Sequence, residues 1–560
     1  MPANALLQLE RLRLQFDAAA ALRKLALVQQ LARIELRSAG AVLRLHEILC
    51  FMHAYPDNQA VAARVRSLLA RFARRADLRA HRDKLADSGI AGTAIHYRFF
   101  AGQAQWLAAH WPGQLRLDRC DAGTETRIAA ALPALLTPVE RYALVELHRP
   151  GYAALDRLRG RRETDASFVL RRVVAMPGNS FTREAFVDAI DASMVLAPGS
   201  TSPSRSAAFF APAPKNIGAP DPRPGRPDLR REIGRAPRSV RRLLLPDAQA
   251  AVDLARSAMV TRARSLEVFS FADARDAWLV DDGQGLAFVL IGVEPERRHA
   301  LAAHYGGLAL RNGVPVAYLQ SDIVGRSAAL SFNTFETFRG AEAGYLFARW
   351  LAALHRVFAC CSFSIEPYQL GQDNDEALDS GAWWFYAKLG FAPRAPETRA
   401  LMRAEQASMR RRPARRSSRR TLERLATTHL FFDIGAAQPL VSLAELGLQC
   451  GAALAALAGS DRERAIDMLS DRLLGECQLA QPPRWSAAQR EAWRRLVPVL
   501  ALLKAGDWSF GERRALPDLA RAKAGPSERD FVRAWLAHDR LDAALRQWAA
   551  TAGRVQRSLT

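Results

Sequence analysis

The chain has 560 residues, of which 49% are hydrophobic and 24% are charged. These proportions are ordinary for globular proteins and exclude a wholly disordered or fibrous chain, while the length predicts about three or four domains. No run of about 18 uncharged apolar residues occurs, and no apolar segment follows a basic start. We therefore expect no membrane-spanning helix, no secretory signal, no membrane partner and a cytoplasmic location.

The excess of basic residues is large and has two explanations. Lys and Arg total 79 against 57 Asp and Glu, and the formal net charge of +22 is compatible with nucleic acid, an anionic membrane surface or acidic ligands as partners. Only six of the basic residues are lysines, and this preference for Arg is typical of GC-rich bacterial genomes. We favour compositional bias, and nucleic acid remains the weaker candidate partner.

The six cysteines do not predict a metal site or a disulfide framework. They lack the paired spacing of zinc ligands and fit reduced thiols, so no metal is expected. They are Cys50, Cys120, Cys360, Cys361, Cys450 and Cys477.

Residues 1–196 are predicted to form an N-terminal α-helical domain. Apolar residues recur at spacings of three and four from residue 4 to about residue 85, which is the period of an amphipathic helix. Residues 197–247 differ in composition, with nine prolines between 198 and 237 together with Ser, Gly and Arg. This segment is interpreted as a Pro/Arg-rich linker.

Residues 248–408 are predicted to form a central α+β domain with a mixed sheet. A helix over 248–264 precedes strands over 286–293, 308–311, 314–319 and 327–338, and the middle two strands meet at the hairpin signal Asn312-Gly313. A helix over 344–358, a strand over 362–365 and a helix over 375–389 follow. The order β-β-β-β-α-β-α predicts an α+β unit.

The last third of the chain is predicted to be helical. Residues 409–421 form an Arg-rich linker with seven arginines within 410–420, and such single-sign runs are usually solvated. No aromatic residue interleaves the tract to stack on bases, which weakens the nucleic-acid interpretation. Residues 422–560 are predicted to form a C-terminal α-helical domain. The predicted fold class is multidomain α+β, with α-helical domains flanking the central mixed sheet.

A candidate anion site lies where the fourth central strand meets the following helix. The connection is Arg339-Gly340-Ala341-Glu342-Ala343-Gly344. The first N–H groups of a helix have no partner within the helix, and its N-terminus carries partial positive charge, so this position favours a phosphate or pyrophosphate. Arg339 adds a planar set of hydrogen-bond donors.

The segment from about 285 to 395 resembles the GNAT superfamily of N-acyltransferases, whose fold, a GNAT-like mixed sheet, is then expected here. The acyl-CoA loop of that superfamily, R/Q-x-x-G-x-G/A, follows the fourth strand and opens a helix, and Arg339 and Gly344 match its first and last positions. A later helix in the superfamily often carries Asn, then Ala three residues on, then Tyr-x-x-x-Gly-Phe. The matching residues here are Asn374, Ala377, Tyr386, Gly390 and Phe391.

The resemblance implies an acyl-CoA-dependent N-acyltransferase that uses acetyl-CoA or another acyl-CoA as substrate and acylates a small-molecule or protein amine. Tyr386 would protonate the leaving thiolate and Glu336 would deprotonate the amine, with Glu366 as a second candidate base. The residues implied to bind the CoA are Arg339, Gly340, Ala341, Glu342, Ala343, Gly344 and Asn374.

The sequence departs from the superfamily pattern in two places. Glu342 stands where the loop has its middle Gly, and its charge would repel a pyrophosphate unless the side chain points away. Two further strands are expected after Phe391, but Pro393, Pro396 and a helical pattern over 398–407 predict a missing or short last hairpin.

These departures keep a second function open, a catalytically inactive GNAT-like module in a helical scaffold that binds a protein or anionic partner. The flanking helical domains would then provide the surface for a protein partner. Three site residues also have structural interpretations: Tyr386 as a core residue, Asn374 as a helix cap and Glu336 as a solvated side chain.

Overall fold

The computed structural model describes residues 2–120, 123–146, 151–218, 222–223, 225–340, 342–477 and 484–559. Its architecture is mixed α+β, as predicted, with many helices and one large sheet. Within these residues no single helix is long and apolar enough to span a membrane. Two consecutive helices, Leu443–Ala458 and Arg462–Glu476, reach that length and hydropathy only together, and they are bent by 90°.

The first 196 residues form mainly helices, together with a small sheet that the sequence did not predict. The elements are α1 (Pro2–Leu12), α2 (Ala18–Leu31), α3 (Ala39–Ala54), α4 (Gln59–Ala70), α5 (Ala76–Ala80), β1 (Ile95–Tyr97), α6 (Ala101–His110), β2 (Leu115–Leu117), α7 (Thr124–Leu135), α8 (Tyr142–Glu146), α9 (Tyr152–Leu158), α10 (Asp165–Ala175), α11 (Ser180–Ile190) and β3 (Met194–Leu196). The strands pair antiparallel in the order β1-β3-β2. Each has three residues, too few for a recognisable alternation of apolar and polar side chains.

A large mixed sheet and its helices occupy the middle of the chain. The elements are α12 (Leu229–Gly234), β4 (Ser239–Arg242), α13 (Leu245–Val260), α14 (Glu267–Ser270), β5 (Ala272–Gly283), β6 (Leu286–Val293), β7 (Ala303–Arg311), β8 (Val314–Val324), β9 (Ser327–Thr334), α15 (Ala343–Phe358), β10 (Ser362–Ile365), α16 (Pro367–Leu370), α17 (Asp375–Ser380), α18 (Ala382–Lys388), β11 (Ala392–Pro393), α19 (Pro396–Arg411), α20 (Arg419–Leu425) and β12 (Leu430–Asp433).

The nine strands of this sheet lie in the order β11-β12-β10-β9-β8-β7-β6-β5-β4. Neighbouring strands are antiparallel except β9 and β10, which are parallel. The β7–β8 hairpin turns at Asn312-Gly313 as predicted, with both residues at positive φ (50° and 87°). At the opposite edge, β4 belongs to the segment interpreted as a linker, yet it pairs with β5.

The last hairpin is short and interrupted. β11 has two residues, and β12 follows only after α19 and α20, which span most of residues 394–429. β12 lies between β10 and β11 and pairs antiparallel with both. The sheet therefore gains its final strand, β12, from the region predicted to be a C-terminal α-helical domain.

The Arg-rich tract is partly helical and is paired with acids. α19 continues to Arg411 and α20 begins at Arg419. Arg415 contacts Glu405 at 3.0 Å, and Arg419 pairs with Asp375 and with Glu423, the latter at 3.2 Å. The remaining helices are α21 (Leu443–Ala458), α22 (Arg462–Glu476), α23 (Ala487–Leu502), α24 (Phe510–Arg514), α25 (Leu516–Lys523), α26 (Glu528–Leu536) and α27 (Asp539–Leu559).

The C-terminal helices join the sheet through a buried carboxylate on β5. Asp276 accepts hydrogen bonds from the Ser527 hydroxyl at 2.7 Å and from the Glu528 backbone N–H at 2.9 Å. From within the sheet, the Tyr305 hydroxyl donates to the same carboxylate at 2.7 Å and the Trp278 indole at 2.9 Å. Burial raises the pKa of Asp276, and these four donors act in the opposite direction.

Candidate functional site

A cleft opens beyond the end of the shorter of the two parallel strands. β10 pairs with β9 only as far as Ile365 opposite Leu330, whereas β9 continues to Thr334. The gap beyond Ile365 is a cavity of about 480 Å³, bounded by the end of β9, the start of α15 and helices α17 and α18. The structure brings five predicted site residues into the wall of this one cleft: Arg339, Gly340, Ala343, Asn374 and Tyr386.

The connection between β9 and α15 leaves room beside its backbone. Gly340 has a φ of +81°, a conformation that favours glycine, and a Cβ built on it would meet no atom within 4 Å. α15 begins at Ala343, and no side chain caps its N-terminus through a hydrogen bond. Ala341 lies outside the described residues. Backbone at the helix start can therefore approach a ligand in the cleft closely.

Gly344 does not line the cleft, because the chain that precedes α12 packs against it. A Cβ at Gly344 would lie 2.9 Å from the carbonyl oxygen of Gly225 and 3.2 Å from Pro227. The Arg223 guanidinium lies 5.1 Å from the centre of the Tyr345 ring in the same turn. The Pro/Arg-rich segment therefore covers one side of the first turn of α15.

Glu342 points away from the cleft and is buried. Its carboxylate accepts from Arg311 at 2.5 and 2.6 Å in a bidentate pair, and the Tyr55 hydroxyl donates to it at 2.8 Å. Burial raises the pKa of Tyr55, and the Glu342 charge raises it further. Since the negative charge is paired with Arg311, the Glu that replaces the middle Gly does not face a ligand in the cleft.

Arg339 lies at the rim of the cleft and is half-exposed. Its guanidinium is 3.5 Å from Glu376 on α17 and 3.6 Å from Glu336 in the preceding turn. Arg264 contacts the same Glu376 carboxylate at 3.1 Å. Exposed pairs of this kind stabilise a structure by only about 0–1 kcal/mol, so an anionic ligand can compete for Arg339.

Tyr386 forms the inner wall of the cleft. Its ring is 5.4 Å from Phe347 and 5.1 Å from Phe385, both in edge-on contact. Burial raises the pKa of Tyr386, so the hydroxyl keeps its proton at neutral pH. No hydrogen-bond partner for this hydroxyl occurs among the residues that the structure describes, which leaves it available to a ligand.

Asn374 is a helix cap. Its Oδ1 accepts from the Ala377 backbone N–H at 3.1 Å at the start of α17, and its Nδ2 donates to the Tyr368 carbonyl at 3.1 Å. The side chain thus fixes the orientation of the α17 wall, which is the structural interpretation of this residue.

Glu336 faces a second cavity of about 580 Å³ on the other side of the β9 end. Its side chain is 82% exposed. The wall of this cavity combines α3, the turn after α13 and the ends of β8 and β9, and we call it the arginine pocket after the arginines in its wall: Arg13, Arg44, Arg205, Arg262, Arg264 and Arg339. Glu366 follows β10 and lines neither cavity.

The sequence did not predict the arginine pocket. Its arginines come from segments separated by more than three hundred residues, from Arg13 to Arg339. In an Arg-rich chain no spacing distinguishes these arginines from solvated ones. The one local signal is the end of α13, where Ala263 with a φ of 48° lies between Arg262 and Arg264 and closes a tight turn.

Among the residues that the structure describes, one group of side chains could hold a metal ion. The ligand atoms of His299, His304 and Asp322 all lie within 4.8 Å of one another, far from the cleft at the other end of β7 and β8. His304 Nδ1 is hydrogen-bonded directly to Asp322. Two of the three groups therefore already satisfy each other without an ion.

Comparison with protein-family models, with curated proteins and with solved structures found no match to this chain.

Proposed function

We propose that the protein is an acyl-CoA-dependent N-acyltransferase, with the cleft as its acyl-CoA site. The observation that carries this proposal is the convergence of Arg339, Gly340, Ala343 and Tyr386 on one cavity, at the point where β10 ends and β9 continues. The last four of the six antiparallel strands, β6 to β9, are followed by a helix, a parallel strand, helices and a final antiparallel pair, and this order also supports the resemblance to the GNAT superfamily.

The cleft suits the two ends of an acyl-CoA in different ways. A pyrophosphate fits beside Gly340 and the start of α15, where backbone N–H groups and Arg339 offer donors. The acyl-bearing end fits against Phe332, Phe385 and Tyr386. The rings of Phe332 and Phe385 stack with their centres 5.9 Å apart. The volume of about 480 Å³ lies within the ordinary range for small-molecule sites.

The reaction then proceeds by direct attack of an amine on the thioester. The amine nitrogen forms a bond to the carbonyl carbon, and the carbon–sulfur bond breaks when the tetrahedral intermediate collapses. Glu336 accepts the proton that the amine loses, directly or through water, and the Tyr386 hydroxyl donates a proton to the departing thiolate. The raised pKa of Tyr386 keeps that proton in place until sulfur leaves.

The test is calorimetric titration of acetyl-CoA into the full chain, the Arg339→Ala variant and the control Arg241→Ala on the exposed face of β4. We expect micromolar binding that Arg339→Ala weakens at least tenfold, which corresponds to about 1.4 kcal/mol. The control should bind like the wild type.

The second candidate function is a catalytically inactive module that binds a protein or anionic partner. It is favoured by the engagement of Arg339 with Glu376 and Glu336 and by the capping role of Asn374. Failure of the folded protein to bind acetyl-CoA and longer acyl-CoAs would contradict the transferase and leave this candidate.

A further inference from the structure

The arginine pocket and the cleft meet at the end of β9. Asn333, Thr334 and Arg339 line both cavities. The Asn333 amide also donates to the Tyr318 hydroxyl in the pocket wall at 3.0 Å. The two cavities therefore adjoin at the end of β9.

The pocket contains more guanidinium groups than carboxylates that can neutralise them. Four of its six arginines have a carboxylate within 4.0 Å, in the pairs Arg44–Glu10, Arg205–Glu47, Arg264–Glu376 and Arg339–Glu336. Within the described ranges no carboxylate lies within that distance of Arg13 or Arg262. The cavity therefore offers positive charge that the chain itself does not pair.

Arg262 is the better placed of these two unpaired arginines. Its guanidinium lies 3.6 Å from the centre of the Phe335 ring, directly after Thr334 at the junction of the cavities. Nη1 donates to the Ala258 carbonyl at 2.9 Å and to the Thr261 hydroxyl at 3.3 Å, which fixes the group and leaves its other donors for a ligand. Burial, and then the charge of Arg205, lower the pKa of Arg262 to about 9.

Arg262 is partly buried, and a partly buried cation without a counter-ion is unfavourable, so a bound anion would relieve that cost. Glu336 lies on the same wall and is largely exposed, so it can attract an ammonium group. The pocket thus presents both an anion-binding group, Arg262, and a cation-binding group, Glu336. Its volume of about 580 Å³ suits a small molecule.

We propose that the arginine pocket is the acceptor site and holds a small amine that also carries a carboxylate or phosphate group. The anionic group lies against Arg262, and the amine points towards Glu336 and the end of β9. This inference rests on the proposed transferase, because it assigns the acceptor of that reaction.

The test compares matched acceptors that differ only in the anionic group. Thiol release from acetyl-CoA is measured with the common amino acids against their α-carboxamides, and with glucosamine 6-phosphate against glucosamine. We expect the anionic member of at least one pair to have a kcat/KM at least tenfold above its neutral partner. The amino-acid comparison tests recognition of a carboxylate, and the glucosamine comparison tests recognition of a phosphate.

The matched variants are Arg262→Gln, which keeps a donor for the Ala258 carbonyl but loses the charge, and Arg241→Gln on the exposed face of β4. Arg262→Gln should raise the KM for the anionic acceptor at least tenfold and leave the KM for acetyl-CoA unchanged. Arg241→Gln should change neither. Arg262→Lys should give an intermediate KM, and it carries the test if the Gln variant does not fold.

Two outcomes overturn the inference while the transferase stands: faster acylation of neutral amines or spermidine, or an unchanged KM for the anionic acceptor in folded Arg262→Gln. Calorimetric titration of the same compounds without acetyl-CoA separates the two proposals. Arg262-dependent binding of an anionic amine by a chain that binds no acyl-CoA would support the pocket and contradict the transferase. Binding of neither class of compound would contradict both.

Discussion

The two cavities on either side of the β9 end are assembled in different ways. The cleft is built from residues 332–386, a continuous stretch of strand, turn and helices. The arginine pocket draws its wall from α1, α3, residues 87–88 and 205, the end of α13 and two strands. The chemistry of the cleft is therefore set by local sequence, whereas the charge of the pocket depends on how the N-terminal helices pack on the sheet.

Glu342 connects the cleft with the arginine pocket. It belongs to the connection that forms the cleft, and its partner Tyr55 follows α3, which carries part of the pocket wall. Its contacts thus hold α3 against the start of α15. Substitutions at Glu342 and in the cleft test this division.

Glu342→Ala should destabilise the protein by about 3–5 kcal/mol, because it leaves the Arg311 guanidinium buried without its carboxylate. Urea denaturation followed by tryptophan fluorescence measures the loss. The matched control is Glu336→Ala in the same connection, where 82% exposure of the side chain predicts a change within about 0.5 kcal/mol. Equal effects of the two substitutions would contradict the structural role of Glu342.

Tyr386→Phe should lower kcat about 100-fold while the Kd for acetyl-CoA stays unchanged, since only the proton donor is lost. Steady-state kinetics and calorimetry measure the two quantities. Tyr142→Phe, at an exposed position away from both cavities, is the control. An unchanged kcat in Tyr386→Phe would mean that Tyr386 has only a structural role.

Asn374→Ala should destabilise the protein by about 1 kcal/mol through loss of the α17 cap. Asn374→Asp keeps a capping oxygen and should restore most of that stability. If Asn374 acts only as a cap, the Asp variant binds acetyl-CoA like the wild type. A large loss of affinity in the Asp variant, with stability intact, would show direct contact with the ligand.

The smallest expected effect is a dependence of stability on pH at the end of the sheet away from both cavities. Burial opposes the charged form of His304, but the hydrogen bond to Asp322 and its charge prevail and raise the pKa of His304. The stabilisation that this pair contributes is fully present below about pH 6.5, the pKa of histidine in the unfolded chain. It is lost as the pH rises through the higher pKa of His304 in the folded protein.

Thermal unfolding between pH 6 and pH 9 tests this dependence. The wild type should lose stability over that range by more than Asp322→Asn, in which the histidine has no charged partner on β8. Equal slopes for the two proteins would mean that His304 is not charged in the folded state. Asp322→Asn should not alter acetyl-CoA binding, because the His304–Asp322 pair lies far from the cleft.

Much of the central region could be predicted because its signals are local. The long strands β6 to β9, the Asn312-Gly313 turn and helix α15 follow from the hydrophobic period and the turn residues. The cleft residues fall within one stretch, so a motif could locate them. The mixed α+β class is confirmed for the same reason.

The rest depends on partners that are distant in sequence. Strands β4 and β12 have four residues each, and a strand of that length is recognisable only from what pairs with it. The direction of Glu342 depends on Arg311 and Tyr55, and the role of Arg262 depends on the helices that enclose the pocket.

The interrupted last hairpin has a consequence for the order in which the chain folds. Closing β11 and β12 across residues 394–429, in place of a four-residue turn, costs roughly 2 kcal/mol more in loop entropy. During synthesis at about 5–20 residues per second, β10 emerges about 3–13 s before β12. Throughout that interval β10 is an open edge, so the nascent protein must protect this strand from pairing with a neighbouring chain until β12 arrives.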